Sequence, residues 1–142
     1  MINDHLDLAL LSEADGVHLG AGDLSLRAAR QIAGDRLLIG ASASTPDTAL
    51  HAIKAGADYI GSGPAFATPL KPQKAVIGPS GVAEVIKAVG PSVPVFAIGG
   101  IDASNIGQLT AAGVRRACVV RAVGDAPDPE SATRGLRAML EA

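Results

Sequence analysis

The chain has 142 residues, with 12 Lys and Arg against 14 Asp and Glu, a net charge of −2 and a hydrophobic content of 48%. This balance excludes a disordered chain, which needs low hydrophobicity and high net charge, and leaves no electrostatic footprint for nucleic acid or an anionic membrane. No charge-free apolar run reaches the ~18 residues of a spanning helix, the N-terminal MINDHLDLAL lacks the basic cluster of a signal peptide, and the single Cys118 excludes an internal disulfide or an all-cysteine metal site.

In chain order, five short and nearly continuously apolar runs read as strands: residues 16–20 (GVHLG), 37–42 (LLIGAS), 58–63 (DYIGSG), 93–98 (VPVFAI) and 117–122 (ACVVRA). Continuous rather than alternating apolarity is expected of parallel strands covered on both faces. Between them lie Ala-rich amphipathic stretches with helix punctuation. Ser44 or Thr45 can cap a helix that has Pro46 in its first turn and stops at Gly56. Asp102 can cap a segment running through Ile106 and Leu109 to Gly113, and Asp128 precedes Pro129 at the start of a last helix striped by Leu136, Met139 and Leu140. Strands alternating with helices predict a βαβ array on a parallel sheet. No low-complexity linker interrupts it, so residues 1–142 are expected to form one cytoplasmic domain. With 17 Gly and only 2% aromatics, its core must be built from Val, Ile, Leu and Ala. The connection over residues 64–81 is long, and it follows the C-terminal end of a strand, where ligand sites sit in barrel and open α/β folds.

Three groups of residues could carry chemistry. Asp4 and Asp23 are carboxylates that could hold Mg²⁺ against a diphosphate, since Mg²⁺ prefers one or two protein oxygens plus substrate oxygens. The alternative is that Asp23 caps a helix starting at Leu24 while Asp4 sits on a frayed terminus. Thr68 and Lys71, the latter held between Pro69 and Pro72, with Lys74 nearby, could meet a phosphate or form a solvated basic loop. Gly99 and Gly100 end a strand and could bring backbone N–H groups to a phosphate, or simply make a tight turn. Paired with the next strand end at Arg121, they occupy the usual phosphate position of a (βα)₈ barrel. His18 reads as a packed or hydrogen-bonded core residue, and Cys118 as a buried small hydrophobe. No GxSxG, GxxxxGK[ST] or strand-to-helix GxGxxG is present, which disfavours hydrolase triads, P-loop chemistry and dinucleotide binding.

Together these segments resemble the thiamine-phosphate synthase family, whose superfamily also contains the thiazole tautomerases. The resemblance rests on Ile2-Asn3-Asp4, residues 15–20 (DGVHLG) with Asp23, residues 39–42 (IGAS), residues 57–66 (ADYIGSGPAF) with Thr68, Lys71 and Pro72, residues 97–101 (AIGGI), and residues 119–122 (VVRA). It implies an α/β fold of (βα)₈ TIM-barrel type. It also implies joining of a hydroxymethylpyrimidine diphosphate to a thiazole phosphate, with release of pyrophosphate. In such a protein Asp4 and Asp23 would bind Mg²⁺, and Asn3, Ser42 and Lys71 would contact the pyrimidine substrate or its diphosphate. Thr68, Gly99, Gly100, Val120 and Arg121 would form the thiazole-phosphate site. The chemistry implied is dissociative, with Lys71 and Ser42 nearest the reacting group, and it needs charge stabilisation on the leaving group more than a strong base.

The sequence departs from the family pattern at His5, Ala21, Leu70 and Arg121, which stand where Arg, Gln, Thr and Ser are usual. The resemblance further implies that Met1 falls inside the third strand of the barrel. About five C-terminal βα units are then expected, with the first two units and their Gln-x-Arg-x-Lys segment outside this sequence. A barrel of this type usually takes about 250 residues and at least ~200. An incomplete sheet would present two long unpaired edges, open to self-association. Two other readings use the same residues: a thiazole tautomerase-like isomerase, and a non-catalytic phosphate-binding or self-associating remnant.

Overall fold

The computed structural model describes residues 1–69 and 72–141. Strands and helices alternate along the described chain: β1 (Ile2–Asn3), α1 (Leu6–Leu11), β2 (Gly16–Leu19), α2 (Leu26–Ala33), β3 (Leu38–Ala43), α3 (Pro46–Lys54), β4 (Tyr59–Ser62), α4 (Gly78–Val89), β5 (Val95–Ile98), α5 (Ile106–Ala111), β6 (Ala117–Cys118), α6 (Arg121–Gly124) and α7 (Pro129–Glu141). The six strands form one sheet in the order β1-β2-β3-β4-β5-β6, and every neighbouring pair is parallel. Each strand therefore returns through a crossover to lie beside its predecessor, always stepping in the same direction, and the result is a half-barrel of TIM type.

Strand pleating divides the residues between two faces. Val17, Leu19, Ile39, Ala41, Ala43, Ile60, Val95 and Ala97 point outward and are buried against the helices. Their partners include Ala9, Ala29, Ala33, Ala49, Ala52, Val82, Val85, Ile106 and Leu109. The many alanines let the helix backbones approach the sheet closely, which is how a chain so poor in aromatics fills its interior. The concave face carries the alternate residues. By register, Asn3, His18, Gly40 and Tyr59 form one row, and Ser42, Gly61 and Phe96 form the next row toward the C-terminal strand ends.

The helix starts follow their local sequence. Thr45 caps α3 by accepting from Thr48 N–H, and the Thr48 side chain returns to Thr45 N–H, a reciprocal capping box with Pro46 in the first turn. Ser25 Oγ accepts from Ala28 N–H at 3.3 Å to cap α2, and Asp128 accepts from Ser131 N–H at 3.0 Å at the start of α7. At the N-terminal strand ends, the Arg30 guanidinium donates to the carbonyls of Gly34, Leu37 and Gly56 and pairs with Asp58 at 2.6 Å. Asp58 in turn accepts Ile39 N–H at 2.7 Å. This clamp ties α2 to the starts of β3 and β4.

Several expectations need correction. The run 117–122 is not one strand: pairing stops at Cys118, and Arg121 opens α6. Val119, Ala122 and Val123 pack against the core formed by α5 and α7, and that packing turns a β-prone sequence into a short helix. Asp102 does not cap α5 directly. Its carboxylate closes a turn on Ser104, and the helix starts four residues later at Ile106. The long connection after β4 ends earlier than expected, because α4 begins at Gly78. Cys118 is exposed rather than buried, because its position on β6 faces the concave side. The sheet edges are not long, since β1 and β6 contribute two residues each. Among the described residues, no helix is long and apolar enough to cross a membrane.

Candidate active site

The C-terminal strand ends and the connections that follow them enclose a cavity of about 470 Å³, within the range usual for small-molecule sites. Ser42 reaches it from β3, Thr68 from the loop after β4, Gly99 and Gly100 from the end of β5, and Val120 and Arg121 from the start of α6. Six of the residues singled out from sequence thus stand together. Lys74, Asp102, Cys118 and Asp125 also line the cavity, so two cationic and two acidic side chains border it among the described residues. Lys71 lies outside the described residues.

The loop after β4 is laced to the end of β5. Ala65 N–H donates to Ile98 O at 2.8 Å, and Phe66 N–H donates to Gly99 O at 3.0 Å. This contact gives the glycines a packing reason independent of any ligand. A Cβ on Gly99 would stand 2.6 Å from Pro64 Cβ, and a Cβ on Gly100 would overlap Ala67 O. Both also sit at positive φ, 99° and 64°, where a side chain adds strain. Asn105 Nδ2 donates to Gly100 O at 2.8 Å and fixes the turn from the helix side. Nearby, hydrogen bonds from the Ser104 hydroxyl and then its N–H hold the Asp102 carboxyl below the usual carboxylate value.

Asn3, Asp4 and Asp23 do not line this cavity. They stand at the C-terminal ends of β1 and β2, along the same rim of the sheet. Asp4 is not frayed: its N–H donates to His18 O at 2.8 Å, and its backbone is held at φ 66°, a conformation that costs energy in a residue other than glycine. Asp23 does not cap α2, a role taken by Ser25. Its Oδ2 accepts Gly20 N–H at 2.7 Å and closes the turn after β2. Among the described residues no group of three or more His, Cys, Asp or Glu could hold a metal. The donor set therefore does not fit an ion that needs a full protein cage. Mg²⁺ needs no such cage, since it keeps several waters and takes one or two protein carboxylates plus oxygens from substrate, and Asp4 and Asp23 on adjacent strand ends are the carboxylates that would supply them.

The sequence reading missed a polar chain on the concave face. His18 Nδ1 lies 3.0 Å from the Tyr59 hydroxyl, and His18 Nε2 lies 3.0 Å from Ser42 Oγ. Glycines on β3 and β4 make room for the rings. A Cβ on Gly40 would overlap the Tyr59 phenol, and one on Gly61 would stand 3.0 Å from His18 Cε1. Tyr59 also meets Phe96 edge-on, with centroids 5.7 Å apart. Burial, and to a lesser extent the neighbouring Cys118, pushes the Tyr59 phenol above its usual pKa. The available signal was the alternation itself: with Gly40 and Gly61 each in the middle of an apolar run, large neighbours must fill the space above them.

A parallel α/β half-barrel with its cavity at the C-terminal strand ends places the chain in the TIM-barrel class. Within that class it belongs to the thiamine monophosphate synthase family, whose family model matches residues 1–123. It is 46% identical over 141 residues to the thiamine-phosphate synthase of Synechocystis sp., and 44% identical over 142 residues to that of Salinibacter ruber. These matches take in 99% of this chain, and it spans 40% and 62% of the respective relatives. A solved thiamine phosphate pyrophosphorylase from Pyrococcus furiosus superposes with a TM-score of 0.85 at 39% identity, covering 98% of this chain and 65% of the other. The 3-hexulose-6-phosphate synthase of Salmonella typhimurium superposes at 0.70 with 18% identity over 96% of this chain and 66% of the other, a likeness of fold alone.

Proposed function

We propose that the chain serves thiamine-phosphate synthesis, joining a hydroxymethylpyrimidine diphosphate to a thiazole phosphate with release of pyrophosphate. The observation that carries this reading is the convergence of Ser42, Thr68, Gly99, Gly100 and Arg121 on one cavity, in a chain whose family is established by residues 1–123. The bond between the pyrimidine methylene and the diphosphate oxygen breaks, and its electron pair leaves with the diphosphate. The thiazole nitrogen then supplies the pair for the new C–N bond. Neither step needs a strong base, which suits a cavity bordered by Lys74 and Arg121.

Ser42 orients the pyrimidine beside Asn3, and Lys71 meets the diphosphate. The turn at Gly99 and Gly100, with Thr68, Val120 and Arg121, holds the thiazole phosphate. Arg121, standing where the family usually has Ser, offers a charged and bidentate partner in place of a hydroxyl. Asp4 and Asp23 would hold Mg²⁺, which when bound supplies charge neutralisation for the departing diphosphate. Asp23 is pre-oriented for that role by Gly20 N–H, and Asp4 by its constrained backbone.

The test is turnover by the full chain given both substrates and Mg²⁺. Thiamine phosphate and pyrophosphate should appear in equal amounts, and chelation of the metal should abolish them. Arg121→Ala should raise the KM for the thiazole phosphate about tenfold or more, as expected for one charged hydrogen bond worth about 1.5–3 kcal/mol. No product under any of these conditions would overturn the proposal.

A further inference from the structure

We propose that Tyr59 and His18 are positioning residues that make Ser42 a hydrogen-bond donor into the cavity, so that the ligand atom seated at Ser42 is an acceptor. Each ring nitrogen of the His18 imidazole has a hydroxyl at 3.0 Å, Tyr59 at Nδ1 and Ser42 at Nε2. A neutral imidazole has one N–H and one bare nitrogen, so the role of one ring atom fixes the role of the other. A phenol donates far more readily than it accepts, and the hydroxyl of Tyr59 meets His18 at Nδ1. Burial keeps that phenol protonated. Tyr59 O–H therefore donates to Nδ1, and the ring proton resides on Nε2.

Nε2–H then donates to Ser42 Oγ, which occupies one of the hydroxyl's lone pairs and leaves its own hydrogen to be used elsewhere. Ser42 lines the cavity, so the hydrogen has a ligand-facing direction available. With the opposite tautomer, Ser42 would donate to His18 and offer the cavity only lone pairs. The direction of the chain thus selects between ligands that present a bare ring nitrogen or an oxygen at this point and ligands that present an N–H. A site built to donate here discriminates strongly, because the wrong ligand leaves a polar group unpaired.

The geometry is held rather than incidental. Gly40 and Gly61 leave the space that the phenol and imidazole occupy, and Phe96 braces the phenol from the other side. The inference deepens the proposed function and, for the identity of the ligand, rests on it: the acceptor would be a ring nitrogen of the pyrimidine.

Two measurements test it separately. With ¹⁵N-labelled histidine, and the His18 signals assigned by their loss in His18→Gln, the ring nitrogens of the full chain should show a protonated Nε2 and a bare Nδ1. A protonated Nδ1 with a bare Nε2 would overturn the proposal whatever the protein binds. Calorimetry with hydroxymethylpyrimidine then reads the consequence. Ser42→Ala and His18→Leu should each weaken binding about tenfold, and Tyr59→Phe several-fold. His18→Gln, whose side-chain N–H can replace the Nε2 donor, should recover most of the loss. Equal affinities for His18→Leu and His18→Gln would show that the imidazole only fills space, and would overturn the positioning role. Failure of the unaltered chain to bind the pyrimidine would count against the proposed substrate and the acceptor assigned to it, while the tautomer measurement still decides the direction of the chain.

Discussion

Tyr59 shows how one side chain can link packing to chemistry. Its ring fills the space over Gly40 and its hydroxyl meets His18, so the native state shelters the phenol from water and holds its pKa above the usual value of about 10. The sign of the pH effect follows. Below about pH 10 the phenol is neutral in both the folded and unfolded chains, and its native contacts stabilise fully. As pH rises past that value, the unfolded chain ionises first. The advantage is then lost progressively as pH climbs through the raised native pKa. Tyr59→Phe removes both the hydrogen bond and this titration. At neutral pH the variant should be less stable by about 1 kcal/mol, the usual net worth of one such bond. The gap between the two proteins should narrow as pH rises from about 9 to 11, read by urea unfolding at each pH. A gap that stayed constant or widened would show that the phenol ionises at least as easily in the fold as outside it.

At the scale of the element, the strands owe their positions to small residues as much as to large ones. Gly40→Ala adds a single methyl group to β3, and that methyl would overlap the phenol of Tyr59 on β4. The cost should be about 1–3 kcal/mol, as for other overpacked sites. Gly135→Ala makes the same chemical change in α7, where nothing lies within 4 Å of the added carbon; there it should stabilise by roughly 0.5–1 kcal/mol through helix propensity. Thermal or urea unfolding of the two variants should move in opposite directions, and parallel shifts would contradict the steric account. The same contrast shows what the sequence made legible. The strands at Gly16–Leu19, Leu38–Ala43 and Tyr59–Ser62, and the helix start at Thr45 and Pro46, could be read because their signals are local: apolar runs, a cap and a proline. Six cavity residues were legible because each ends a strand or follows one. The end of β6 was not, because residues 119–122 look like strand and are turned into α6 by packing against a cluster built from residues distant in sequence, Leu109 and Leu136 among them. Nor was the polar chain on the concave face, since His18 meets partners 24 and 41 residues away and only the register of three strands brings them together.

Across the whole molecule, stability is concentrated on one side of the sheet. All three clusters of buried residues lie between the convex face and the helices, while the concave face carries the polar chain, the glycines that accommodate it and the cavity. β3 offers a direct comparison, because neighbouring residues of a strand point to opposite faces. Ile39 is fully buried among the helices, whereas Leu38 points to the concave side and remains 54% exposed. Ile39→Ala removes buried carbon and leaves a void that the close-packed alanines around it cannot collapse to fill, so it should cost about 2–5 kcal/mol. Leu38→Ala removes a side chain already half in water and should cost under about 1 kcal/mol. Urea midpoints at equal slope should separate the two variants clearly, and the cavity should survive in the second, since Leu38 lies at the opposite end of the strand from Ser42. Should Leu38→Ala prove as damaging as Ile39→Ala, the concave face would have to carry a packed core of its own, and a face engaged in that way could not also be the open wall of a binding cavity.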